Sequence, residues 1–139
     1  MTAKEYLNQA YWLDRRINSK LEQISALRET ATKATSVMND TPVSHSRNVQ
    51  SMQDTIAKIV DMEHELDREI DSLVDLKREI TQIIKSVPSF EYKTILELRY
   101  LTFKSWNEIA TLMNYDVRYV YKMHGRALKK IDELLERRQ

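Results

Sequence analysis

The stretch SWNEIATLMNYDVRYVYKMHGRALKKI, residues 105–131, decides how the rest of the chain is read. It contains two helical patterns separated by a corner. Ser105 and Glu108 have capping-box spacing, in which the hydroxyl accepts from the third helical N–H while the carboxylate reaches back to the cap. The helix that follows carries Trp106, Ile109, Ala110 and Met113 on one side, and Ala110 is small enough to let a second helix approach. Asn114 tolerates the left-handed conformation that ends a helix, and Asp116 is a good N-cap for the next one. In that next helix Val120, Met123 and Ala127 are spaced to face a core. Arg118, Tyr121 and Lys122 then point outward, with Val117 and Tyr119 at the rim. Residues 117–131 hold five basic side chains (Arg118, Lys122, Arg126, Lys129 and Lys130) and no acid. A polyanionic partner explains that bias better than a purely structural cap does.

Outward from the corner, the chain reads as helix throughout. One Gly and two Pro in 139 residues disfavour a turn-dense β fold. Immediately upstream, Pro88 stops a helix, Ser89 caps a new one, and FEYKTILELRYL (residues 90–101) places Ile95, Leu98 and Leu101 on one side. Before that, a strict seven-residue frame runs through Met52, Ile56, Ile59, Glu63, Leu66, Ile70, Leu73, Lys77, Ile80, Ile84 and Val87. Nine of the eleven are apolar, the mark of a coiled-coil seam over about residues 51–85, with Glu63 and Lys77 interrupting it. An earlier helix, from about residue 3 to 34, shows apolar spacing in steps of three and four at Tyr6, Ala10, Leu13, Ile17, Leu21, Ile24, Leu27 and Ala31. Between the two, SVMNDTPVSHSRNVQ at 36–50 loses the periodicity and reads as a loop. The expectation is an all-α protein. Residues 1–87 form a long antiparallel αα-hairpin, and 88–139 form a separate domain. One hairpin buries a narrow stripe per helix, so homodimerisation through it is expected.

Charge is uneven along the chain. Residues 1–50 carry 7 basic and 5 acidic groups, 51–87 carry 5 and 9, and 88–139 carry 10 and 7. Any polyanion partner would therefore meet the C-terminal end. With no cysteine, disulfides and thiolate zinc sites are excluded. His45, His64 and His124 have no ligand partner at helical spacing, and HELDR at 64–68 lacks the second histidine of a zinc-protease helix. No nucleophile–base set or glycine-rich phosphate loop is present, so neither an enzyme nor a cofactor is expected. No apolar stretch reaches signal-peptide or membrane-span length, and a soluble cytoplasmic protein is the expectation. Gly125, the single glycine, sits mid-helix at a cost of about 1 kcal/mol relative to Ala, for which close packing against another helix is one reason.

The segment of about residues 91–135 resembles region 4 of sigma-70-type factors, the helix-turn-helix that reads the −35 promoter element. The resemblance rests on LRY at 98–100, SWNEIATLM at 105–113 and VYKMHGRALKKI at 120–131. It departs from that family at the turn, where Asn114 stands for the usual glycine and Asp116 for the usual Ser or Thr cap. It also departs at the outward positions Val117, Arg118, Tyr121 and Lys122, where the family more often has Arg, Glu, Arg and Gln. The overall order, long helices before a sigma-like C-terminus, is similar to small phage-encoded regulators of the ArpU/RinA type. No counterpart of the promoter-melting region is present.

The resemblance implies a sequence-specific, double-stranded DNA-binding transcription regulator in a bacterial cytoplasm. Val117, Arg118, Tyr121 and Lys122 are then the candidates for reading bases, since Arg or Lys on guanine O6/N7 is the commonest base contact. Lys104, Ser105, Arg126, Lys129 and Lys130 are the candidates for phosphate contacts, which position without specifying. Two alternatives stand beside it. One is a protein-interaction module docking on RNA polymerase or a phage protein. The other is a DNA-packaging protein like a terminase small subunit, although there the DNA-binding head usually precedes the hairpin.

Overall fold

The computed structural model describes the backbone of residues 1–40 and 45–138, with side chains for those outside 35–48. The described residues form five α-helices and no strand: α1 (Ala3–Asp40), α2 (His45–Lys85), α3 (Phe90–Tyr100), α4 (Trp106–Met113) and α5 (Val117–Arg137). The all-α expectation holds. The loop expected at 36–50 is shorter than that composition suggested. α1 runs on to Asp40 and α2 already begins at His45, so only 41–44, including Pro42, lie outside the described residues. Ser, Asn and Thr are weak helix formers rather than breakers, and a helix already under way gains one hydrogen bond per added residue. Among the described residues no helix is long and apolar enough to cross a membrane.

Contacts divide the chain into two compact units, and the division does not fall at Val87–Pro88. One unit comprises Met1–Asp14 with Leu73–Gln139, the other Arg15–Ser72. The first contains two apolar clusters. Ile95 of α3 joins Ile109 and Ala110 of α4 and Val120 and Met123 of α5. The second joins Ala3, Leu7 and Ala10 of α1 to Ile80, Ile83, Ile84 and Val87, and to Leu96 and Tyr100 of α3 and Ala127 and Ile131 of α5. α3 is therefore apolar on two sides: Ile95 faces one cluster and Leu96 and Tyr100 the other. Those second faces need partners, and the ends of α1 and α2 supply them. A polar tie reinforces this, since the Ala3 N–H at the start of α1 donates to Asp132 Oδ1 of α5 at 2.8 Å.

In the second unit ion pairs link α1 to α2. Arg16 pairs with Glu69 at 3.2 Å, Lys20 with Glu69 at 3.0 Å and Glu65 at 3.1 Å, and Arg28 with Glu63. Partner numbers fall as the α1 numbers rise. Exposed ion pairs contribute little stability, but this set fits one register. Glu63, an interruption of the seven-residue frame, thus finds a cation. Lys77, the other interruption, belongs to the first unit and sits 4.9 Å from the Phe103 ring centroid, a cation–π contact.

The buried apolar side chains described in the second unit are Ile17, Ile24, Ile59 and Leu66. At about 2 kcal/mol each this is a thin core for two long helices. Half of the frame accounts for it: Ile59 and Leu66 are buried, while Ile56 and Ile70 are 49% and 38% exposed. Val60 of α2 and Leu21 of α1, a member of the expected stripe, are exposed as well.

Candidate nucleic-acid interface

The corner between α4 and α5 is built from local signals. Ser105 has extended backbone and its hydroxyl accepts from the Glu108 N–H at 3.2 Å. The return bond from the Glu108 carboxylate is absent among the described hydrogen bonds, so half of the expected capping box forms. Asn114 ends α4 in the left-handed region at φ 59°, ψ 43°, and the Tyr115 N–H donates to the Ala110 carbonyl at 3.0 Å. Asp116 then caps α5, its carboxylate accepting from the Arg118 N–H at 3.0 Å. Two residues, Tyr115 and Asp116, thus carry the chain from the left-handed stop to the next helix start.

Burial separates the faces of α5. Val120, Met123, His124, Ala127 and Ile131 are buried. Arg118, Tyr121, Lys122, Arg126, Lys129 and Lys130 are exposed. By helical periodicity Lys122 and Lys129 lie within about 40° of Arg118 around the helix axis, Arg126 about 80° away and Lys130 about 120° away. Arg118, Lys122 and Lys129 therefore form one line of cations about 16 Å long. None of the three makes an ion pair among the described residues.

The other candidates divide. Val117 is half-buried and packs against the Ile95–Ile109–Val120 cluster, which takes most of its side chain out of play as a reader of bases. Lys130 is turned aside and its ammonium lies 3.8 Å from Glu133. Lys104 is half-buried at the start of α4, where its carbonyl accepts from Arg99 Nη1 at 3.0 Å. The Ser105 hydroxyl is committed to its cap, although the residue stays exposed.

Tyr121 is held rather than free. Its ring centroid lies 5.3 Å from that of Trp106. Trp106 in turn carries the Arg99 guanidinium 4.5 Å over its ring and meets the His124 ring at 4.4 Å. This aromatic stack fixes the outward residue Tyr121 from behind, and it begins on α3.

Behind it, His124 was missed by sequence reasoning. Its Nε2 lies 2.6 Å from the Tyr100 hydroxyl in a buried hydrogen bond. Burial pushes the His124 imidazole down to about 4, with the Lys4 and Arg99 charges acting in the same direction. Burial also pushes the Tyr100 hydroxyl up to about 12, against the pull of Arg99. Both groups are neutral at pH 7, and the pair ties α3 to α5 without adding charge. The one available signal was the spacing of His124 one residue after Met123 on the inward face. Among the described residues no group of three His, Asp or Glu side chains is placed to hold a metal. No protein-family model matches this chain, and no curated protein or solved structure matches it significantly.

Proposed function

We propose that the protein is a double-stranded DNA-binding transcription regulator in which α4 and α5 act as a sigma-70 region 4-like helix-turn-helix, with α5 entering the major groove. The observation that carries this reading is the outward face of α5. Arg118, Lys122 and Lys129 stand in one exposed line, and no acid lies between Val117 and Ile131. A major groove accommodates an α-helix, and cations on its outer face meet guanine edges or the flanking phosphates. Tyr121, braced by Trp106, presents a half-exposed ring beside that line.

The test is a titration with a labelled duplex of about 30 base pairs. With four or five phosphate contacts, affinity falls about 10²- to 10³-fold between 50 and 200 mM salt. Binding that is absent at low salt, or indifferent to salt, removes the reading.

The α1–α2 hairpin is proposed as the element through which two copies associate. What supports this is the apolar surface left exposed on α2: Ile56 and Ile70 on one half of the seven-residue frame, with Val60 beside them, while Ile59 and Leu66 of the other half are buried. Ile56→Glu with Ile70→Glu places a charge at each of two exposed positions without entering the chain's own core. The expected result in sedimentation is a change from the mass of an oligomer to that of one chain, with helicity retained. A wild-type protein that sediments as a single chain at tens of micromolar rules the association out.

A further inference from the structure

Nothing among the described residues explains Gly125. It lies mid-way along α5 and is exposed, and its backbone is not in the positive-φ region that favours glycine. A Cβ at this position would meet nothing within 4 Å among the described residues. Neither backbone geometry nor packing against another helix requires it, although glycine is a poorer helix former than every residue but proline. A bare Cα there leaves room for the close approach of something outside the chain.

Its position says what approaches. Gly125 lies three residues after Lys122 and four before Lys129, on the line that begins at Arg118. A ligand that engages both lysines passes directly over it. That ligand is anionic, because the line is cationic and no acid lies between Val117 and Ile131. It is also rigid, since a flexible chain could bend around a methyl group and would not need the gap. A duplex sugar–phosphate wall meets both conditions. We infer that Gly125 is the point at which one strand of bound duplex rests against the backbone of α5, between Lys122 on the base-reading side and Lys129 gripping a phosphate one turn further on. This rests on the duplex-binding reading above and adds to it the depth at which the helix sits.

The experiment compares wild type, Gly125→Ala and Gly125→Leu in thermal melts, in sedimentation and in anisotropy titrations of the same labelled duplex at about 50 mM salt. Ala and Leu have nearly equal helix propensity, so both variants melt about 2–5 °C higher, while they differ in how far they hold a wall away. The expected result is a graded loss of affinity, about 5-fold for Ala and about 10²-fold for Leu, with the salt slope kept because no charge changes. Equal losses in the two variants would report backbone flexibility instead and overturn the inference, as would unchanged affinity in both. A change in sedimenting mass with duplex affinity intact would place a second copy of the chain over Gly125 and overturn it too. A wild-type chain that binds no duplex at all would be a different failure, that of the underlying reading.

Discussion

Arg118→Glu combined with Lys122→Glu lowers duplex affinity at least about 10²-fold while leaving the fold intact. Each well-placed cation on a guanine edge contributes about 1–3 kcal/mol, so losing two costs about 2–6 kcal/mol, and the introduced carboxylates add repulsion from the phosphates. Stability should not follow, because both side chains are exposed and neither has an ion pair to lose among the described residues. The Arg118 N–H, which the Asp116 carboxylate caps, is backbone and survives the change. A glutamate in the first turn of α5 also suits the helix dipole. Lys130→Glu is the comparison within the same helix. That lysine is turned about 120° from Arg118 and faces Glu133, so its reversal costs far less binding. Anisotropy titrations and circular dichroism melts on the two variants check both halves. A double reversal that melts normally and binds duplex as well as wild type refutes the assignment of this face. If it does so while losing an interaction with RNA polymerase, the protein-docking alternative takes its place.

The corner around these residues was legible because its determinants are local. Ser105, Asn114 and Asp116 each act within three or four residues of themselves, and each takes the role its chemistry suggests. The inward positions Val120, Met123 and Ala127 followed from periodicity alone. What could not be read depends on distant partners. Nothing near Ala3 announces that its N–H is capped by Asp132. A polar pair such as Tyr100 and His124 is buried only because two separate helices bring it together. The second apolar face of α3 was hidden for the same reason. The Ile95, Leu98 and Leu101 spacing is a sufficient amphipathic pattern by itself, and it gives no hint that Leu96 and Tyr100 are claimed by α1 and α2. Among the site candidates, Val117 and Lys130 lie at the edges of the outward face. There periodicity is indifferent, and a neighbouring cluster or a glutamate three residues on decides the outcome. The glycine was visible in the sequence, but its meaning was not, because open space around a Cα is a property of the fold.

The Tyr100–His124 pair leads to the second large effect, a loss of stability in mild acid. His124 is 8% exposed and its folded-state pKa is about 4, against an ordinary 6.5. Above pH 6.5 both folded and unfolded chains carry a neutral imidazole, and the contribution is fully present. As pH falls from 6.5 towards 4, the unfolded chain takes up a proton that the folded chain refuses, and folding weakens. Each pH unit crossed between those two values costs about 1.4 kcal/mol, so the loss amounts to about 3 kcal/mol by pH 4. Below that, both forms bind the proton and the slope ends. Tyr100 supplies the opposite limb. Its hydroxyl is raised from 10 to about 12 by burial, so the stability it contributes is lost as pH rises between those values. Carboxylates elsewhere also titrate in acid, and the measurement must cancel them. His124→Gln retains a hydrogen-bonding side chain for the Tyr100 hydroxyl and removes the titration. In urea melts the variant is less stable than wild type at pH 7, and the gap between them narrows by about 3 kcal/mol on going to pH 4. Carboxylate effects are common to both proteins and drop out of that difference. A gap that stays constant across the range would mean that His124 accepts its proton as readily in the folded chain as in the unfolded one, and the buried neutral pair behind the α5 face would have to be abandoned.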